Sequence, residues 1–213
     1  MGESQVLCHS QIEDQEMKVL VIIGHQNQGS FCHAIAQTAV DELRAAGHEV
    51  IHHDLYAEGF DPVLPHDEIA KGSAKAASVQ QHADELMAAD GVVIVHPNWW
   101  AMPPAVLKGW VDRVFSQGVV YDFGEGGRII GHLKGKKFVV FTTSNTPRDM
   151  ELELYGDPLQ NLWETCICGF CGVEDFYRRN YESIVMSTPA QRAEWIEHVK
   201  QTIRERFPAA SPG

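Results

Sequence analysis

The chain has 213 residues, 44% of them hydrophobic, enough for one sizeable core and a single domain. Its 17 lysines and arginines against 29 acidic residues leave a formal charge of −12, which argues against a sequence-independent grip on nucleic-acid phosphates. No run reaches the roughly 18 apolar residues of a membrane span, and the polar, acidic start MGESQVLCHSQIEDQE lacks the pattern of a signal peptide, so a cytoplasmic protein is expected.

Residues 1–16 read as a flexible N-terminal extension, with Met17 as a second candidate start, and 17–213 as one domain. The apolar run KVLVII, Lys18 to Ile23, predicts a strand. After it come the loop GHQNQGS and a helix in which Ile35, Ala39 and Leu43 recur at helical spacing before Gly47 stops it. HEVIHHDL predicts a second strand, and YAEGFDPVLPHDE a turn-rich connection. Val79, Ala83, Leu86 and Met87 mark a helix from about Ser78 to Ala89, and Asp90-Gly91 opens the strand VVIVH. The next helix is expected to carry Pro103 or Pro104 in its first turn and to turn Val106, Trp110, Val111 and Val114 inward. KKFVVFTT is the fourth strand, SNTPRDM a polar loop, Pro158 to Cys171 a helix, EDFYRRNY the fifth strand, and Pro189 to Arg206 the last helix. Apolar strands alternating with helices give an α/β, doubly wound, five-stranded parallel sheet of order 2-1-3-4-5. Ligands of such a sheet sit beyond the carboxyl ends of its strands, here the first, third and fourth.

The loops at those three ends carry unusual chemistry. In the first, Gly24, His25, Gln26, Asn27, Gly29 and Ser30 precede a helix whose free N–H groups suit a phosphate, although Ser30 serves equally well as an ordinary N-cap. In the second, Trp99 and Trp100 lie between Pro97 and Pro103, either as walls for a flat ligand, with the N–H groups of Trp99, Trp100 and Ala101 at its polar edge, or as core under the loop. In the third, Thr142, Thr143, Ser144, Asn145 and Thr146 offer short donors and acceptors for a planar ring, or plain turn chemistry. A phosphate site, aromatic walls and polar ring contacts converging on one crevice describe a flavin nucleotide.

The segment HPNWWAMPPAVLKGWVDRVFSQGVVYDF resembles the hallmark of the NAD(P)H:quinone oxidoreductase family, flavodoxin-like flavoenzymes that include quinone reductases and ancillary proteins of potassium efflux systems. GHQNQGSF, DLYAEGFDPVL, KKFVVFTTSN and FCGV extend the resemblance from about Lys18 to Phe207. It implies hydride transfer from NAD(P)H to flavin N5 and onward to a quinone-like acceptor. Residue by residue, it implies that His25, Ser30, Phe31 and Cys32 face the phosphate and ribityl chain and that Pro97, Asn98, Trp99, Trp100 and Ala101 line the isoalloxazine. Thr142, Thr143, Ser144 and Asn145 then face the pyrimidine edge.

Some positions depart from the mammalian quinone reductases. A glycine pair is replaced by Ser144-Asn145, and their tyrosine and histidine at the flavin are not both present: Tyr155 falls near the histidine position, and Arg148 or Asp149 near the tyrosine. Tyr155 or Asn145 is therefore the candidate donor to the reduced flavin. Cys32 stands where the family has asparagine and the long C-terminal extension is missing, which leaves FAD and FMN both open. The resemblance also implies a homodimer, with a second subunit close to Gly109 and YDFGEGGRIIGHLKGK as a flexible lid or arm. An alternative of another class is a flavin-binding regulatory protein whose partner is a membrane transporter.

Other features read as structural. The five cysteines are an odd number in a reducing compartment, which speaks against a disulfide framework. Cys166, Cys168 and Cys171 do not share a helix face and no second pair has zinc spacing, so no metal is expected. His52 and His53 alternate faces, so at most one points to any site. Arg178 and Arg179 are expected to pair with acids at the sheet end, and Arg128, Lys134 and Arg148 are basic candidates for a cofactor 2′-phosphate.

Overall fold

A computed structural model describes residues 15–210, so the expected N-terminal extension, apart from its last two residues, and Cys8 lie outside the described residues. In chain order the elements are β1 (Lys18–Ile23), α1 (Phe31–Ala45), β2 (Glu49–Asp54), α2 (Ala77–Ala88), β3 (Gly91–Pro97), α3 (Ala105–Val114), β4 (Tyr121–Phe123) and β5 (Ile129–Gly131). Next come β6 (Lys137–Thr143), α4 (Arg148–Met150, continued as a π-helix over Glu151–Tyr155), α5 (Pro158–Gln160, continued as a π-helix over Asn161–Gly169), β7 (Asp175–Tyr181) and α6 (Pro189–Arg206).

Five parallel strands are ordered β2-β1-β3-β6-β7, the 2-1-3-4-5 arrangement read from the sequence. Each central strand carries an unbroken apolar run because alternate side chains enter opposite layers. Val19, Val21, Val93, Val95, Val139 and Phe141 meet Ile35, Ala39 and Leu43 of α1 and Val199 and Ile203 of α6. Leu20, Ile22, Val92, Ile94, Phe138 and Val140 meet α2, α3 and α5 on the other face.

The structure corrects several expectations. Pro104 is the N-cap of α3 and Pro103 precedes it, so neither proline sits in the first turn. The neighbour of Gly109 is Pro62 of the same chain: a Cβ at 109 would lie 2.3 Å from the Pro62 carbonyl oxygen and 2.4 Å from its Cα. Gly109→Ala is accordingly expected to cost about 2 kcal/mol or more through forced displacement of the Pro62 backbone. Urea unfolding checks this, and an unchanged midpoint would contradict it.

The expected lid or arm contains the β4–β5 hairpin, and its base is held down. The Leu133 N–H donates to the Cys171 carbonyl at 2.9 Å, and Gly131 lies so close to Cys171 that a Cβ there would sit 2.2 Å from the carbonyl carbon. Phe123, Ile129 and Ile130 remain exposed. Burial pushes the Cys171 thiol up to about 12 and the Cys168 thiol well above its usual range, in line with an inert role.

Candidate active site

The loop after β1 is ordered by its own polar groups. The Asn27 N–H donates to His25 Nδ1 at 3.0 Å, the Gly29 N–H to Asn27 Oδ1 at 3.1 Å, and Ser30 Oγ caps α1 by accepting from the His33 N–H at 3.3 Å. Ser30 is thus an N-cap, and it is one at the positive end of a helix of 15 residues. His33 bridges outward from it, with Nδ1 2.9 Å from Ser30 Oγ and Nε2 3.0 Å from Asp54 Oδ2. Burial, and secondarily the charge of His33, lowers the His25 pKa. Phe31 packs edge-on against Tyr181. The Cys32 thiol is buried, 3.2 Å from Thr143 Oγ1, and burial pushes its pKa up to about 12, so only the backbone of Cys32 is available to a ligand.

Trp100 is 99% exposed, while Pro97 beneath it is buried. Trp99 and Met102 exchange two backbone hydrogen bonds of 3.0 Å, which makes Trp100 and Ala101 the tip of a tight reversal, with φ of +55° and +60°. Two successive left-handed residues suit Asn-Gly, not Trp-Ala. Each such non-glycine residue costs on the order of 1–3 kcal/mol, and strain of this kind gathers at ligand clamps. The Asn98 N–H ties the loop to the Thr143 carbonyl at the end of β6. Below the turn, buried His96 donates from Nδ1 to the Pro97 carbonyl at 2.8 Å and accepts the Trp163 indole N–H on Nε2 at 2.9 Å. Burial, assisted by the charge of Arg178, lowers its pKa to about 4, so it stays neutral and in one tautomer.

The hydroxyls at the end of β6 turn inward. Thr142 donates to Asn180 Oδ1 at 2.9 Å, Thr143 pairs with Cys32, and Ser144 accepts from Asn180 Nδ2 at 3.1 Å and donates to the Thr146 carbonyl at 3.2 Å. Their backbone is engaged as well: the Ser144 N–H donates to the Tyr181 carbonyl at 2.9 Å, its carbonyl accepts from the Ile184 N–H at 3.1 Å, and Thr142 and Thr143 pair with β3 and β7. Asn145 is exposed and its Oδ1 accepts from the Val185 N–H at 3.1 Å, which leaves its amide nitrogen as a donor.

One cleft of about 400 Å³ collects Asn98, Trp100 and Ala101 from the β3 loop with Thr146, Glu151 and Tyr155 from the β6 loop and α4. Tyr155 is half-exposed at its side, and Asn98 Nδ2 donates to buried Glu151 at 3.4 Å. His25, Ser30 and Phe31, at and before the start of α1, are not among the six. Sequence reasoning missed Glu151, because it assigned no helix where α4 forms. Arg128 and Lys134 also lie outside the cleft lining.

A second polar group is structural. His53, His82 and Glu85 bring ligand atoms within 4.8 Å of one another. However, the Trp110 indole N–H donates to His82 Nδ1 at 3.0 Å, so the single proton of a neutral His82 sits on Nε2, where a metal would have to bind. His53 places Nδ1 2.8 Å from Glu58 and Nε2 2.6 Å from Glu85, tying β2 to α2.

Comparison with known proteins adds kinship to this geometry. A family defined by the flavodoxin-like fold matches residues 17–207. An uncharacterized NAD(P)H oxidoreductase of Haemophilus influenzae is 32% identical over 197 residues, which cover 91% of this chain and 97% of that one. NAD(P)H dehydrogenase (quinone) 1 of Rattus norvegicus is 26% identical over 216 residues, 90% of this chain and 79% of its own. Among solved structures, Smu.1420 from Streptococcus mutans UA159 superposes with a TM-score of 0.79 at 30% identity, covering 89% of this chain and 100% of the other. With a strained aromatic turn over a cleft at the carboxyl edge of this sheet, the chain belongs to the NAD(P)H:quinone oxidoreductase family of the flavodoxin-like fold.

Proposed function

We propose that this enzyme is a flavin-dependent NAD(P)H oxidoreductase that delivers two electrons to a quinone or similar electrophile. The observation that carries the reading is Trp100, a large flat side chain held in solvent by a strained turn at the mouth of a cleft. A bound flavin, FAD or FMN, supplies the redox chemistry that these side chains lack. The residues fit such a group. Ser30 and the start of α1, flanked by His25, Phe31 and the Cys32 backbone, suit its phosphate. Asn98, Trp100 and Ala101, which line the cleft, are with Pro97 and Trp99 of the same loop the proposed wall for its ring. The Trp100 and Ala101 N–H groups take no part in the Trp99–Met102 pair and are free to face a polar edge. Thr142, Thr143 and Ser144 support that wall from behind, the Thr143 carbonyl holding the Asn98 N–H.

Tyr155 and the Asn145 amide are the proposed hydrogen-bond donors to the side of the ring that gains negative charge, where fixed dipoles act without reorganisation. Tyr155→Phe and Asn145→Ala are each expected to slow the reductive step about tenfold or more. Unchanged rates in both would remove that assignment. The functional assembly proposed is a homodimer, since Leu152, Leu154, Val185 and Met186 leave an exposed apolar rim near the cleft. An active monomer at all concentrations would contradict it. The reading as a whole is tested by steady-state turnover: flavin-loaded protein should oxidise NADH or NADPH repeatedly with a quinone present, and a protein that does neither would overturn it.

A further inference from the structure

Arg178, on the outer strand β7, enters the site described so far only through its charge on His96, and its side chain is only 2% exposed. Nη1 donates to both carboxylate oxygens of Asp157, at 2.8 and 2.9 Å, and to Gln160 Oε1 at 3.2 Å, while Nη2 donates to Thr142 Oγ1 at 3.3 Å. Nε is buried without a partner. Well-packed apolar residues in place of such a pair are often as stable or more so, so the buried guanidinium is poorly explained by stability alone.

Both arms of the guanidinium lead, through intervening groups, to residues of the cleft wall, Thr146 and Tyr155. Along the first, Thr142 donates to Asn180, Asn180 to Ser144, and Ser144 to the carbonyl of Thr146, a residue of the cleft wall. Every link runs in the same direction, so the charge of Arg178 polarises the whole chain. Along the second, Asp157 holds φ of +50° directly after Gly156 at +68°, and these two left-handed residues make the reversal that ends the π-turn carrying Tyr155. Glycine adopts this conformation freely; aspartate does so against a steric penalty. The Asp157 N–H closes the turn on the Glu151 carbonyl at 3.2 Å.

We propose that Arg178 is a positioning residue for the redox site, fixing Tyr155 through the backbone of Asp157 and fixing Thr146 through the Thr142–Asn180–Ser144 chain. The inference rests on the cleft being that site. Its test compares two double variants, R178M/D157G and R178M/D157A. Each removes the partly buried carboxylate, which also caps α5 by accepting from the Gln160 N–H at 3.3 Å, together with its partner, and only glycine tolerates the left-handed backbone.

Hydrogen–deuterium exchange over residues 151–160, without NAD(P)H, should stay within about threefold of the native rate in R178M/D157G and rise at least tenfold in R178M/D157A. With flavin bound, kcat should be about tenfold higher in the glycine variant than in the alanine variant, with KM for NAD(P)H similar in both. Equal exchange in the two variants would reduce Arg178 to a structural residue, whatever the enzyme's activity. Because both double variants lack the arginine, Arg178→Lys tests it directly, whether or not the alanine variant folds: a lysine keeps the charge but cannot fork to Asp157 and Thr142 together. Its kcat should fall several-fold with unchanged KM, and native kcat would overturn the proposal. If the native protein shows no turnover, the function reading fails while the exchange comparison still judges the positioning role.

Discussion

Exchanging Trp100-Ala101 for Asn-Gly is expected to stabilise the protein while stripping it of most of its affinity for flavin. The two residues occupy left-handed backbone at φ of +55° and +60°, the arrangement that Asn-Gly adopts most readily. Relief at both positions is worth about 2 kcal/mol, or a rise in melting temperature of about 5 °C for a domain of this size. Nothing is lost from the core, because Trp100 is 99% exposed. The same exchange removes the aromatic wall. A central aromatic contact is worth about 2 kcal/mol, so the flavin dissociation constant should rise about thirtyfold. Calorimetry and flavin-fluorescence titration measure the two halves. A lower melting temperature would show that the turn is not strained, and unchanged affinity would show that the tryptophan is not a flavin wall.

Glu68→Gln is expected to cost about 3 kcal/mol or more at neutral pH, a large share of the stability of an ordinary domain. Glu68 and Arg113 are each only 5% exposed and are joined by two hydrogen bonds, of 2.7 and 3.1 Å, that hold the long β2–α2 connection on α3. Arg113 also donates to the Asp61 carbonyl at 2.8 Å. The glutamine would remove the buried counter-charge and leave only the exposed Asp61 carboxylate, 3.3 Å from Nη1, to face the buried guanidinium. The hydrogen bonds from Arg113 hold the Glu68 carboxyl below its ordinary value of 4.5, outweighing the upward pull of burial. A depressed folded-state pKa contributes stability above the unfolded value, and that contribution disappears as pH falls through the folded value. The gap between native and variant should therefore be constant near pH 7 and shrink below about pH 4.5. Urea unfolding at a series of pH values measures it. A gap that is small at pH 7, or that does not change with acid, would contradict the assignment.

What the sequence made legible depended on whether a local pattern carried the information. The sheet order was readable because β1, β3 and β6 each carry a continuous apolar run of four or five residues, as central parallel strands do. The aromatic turn was readable as a position at the ligand edge, but its left-handed backbone was not, since Trp-Ala gives no turn signal. α4 was invisible for two reasons. Its leucines 152 and 154 face solvent instead of marking a buried stripe, and its π geometry breaks the 3.6-residue period. Thr142 looked like a ring contact, yet its register opposite Asn180 on β7 turns the hydroxyl into the molecule. Gly109 announced a close approach, but only the fold identifies Pro62 as the neighbour. The Glu68–Arg113 and Asp157–Arg178 pairs join residues far apart in the chain, and no local spacing encodes them.

The central claim is that this cleft holds a flavin that NAD(P)H reduces. Its most direct test is to release and identify any bound flavin by mass, load the protein with that flavin, and mix it anaerobically with NADH and with NADPH while following the flavin absorbance. The account predicts rapid bleaching by at least one donor and return of the absorbance when a quinone is added. A protein that takes up neither FMN nor FAD, or whose bound flavin stays oxidised with both donors, would contradict it.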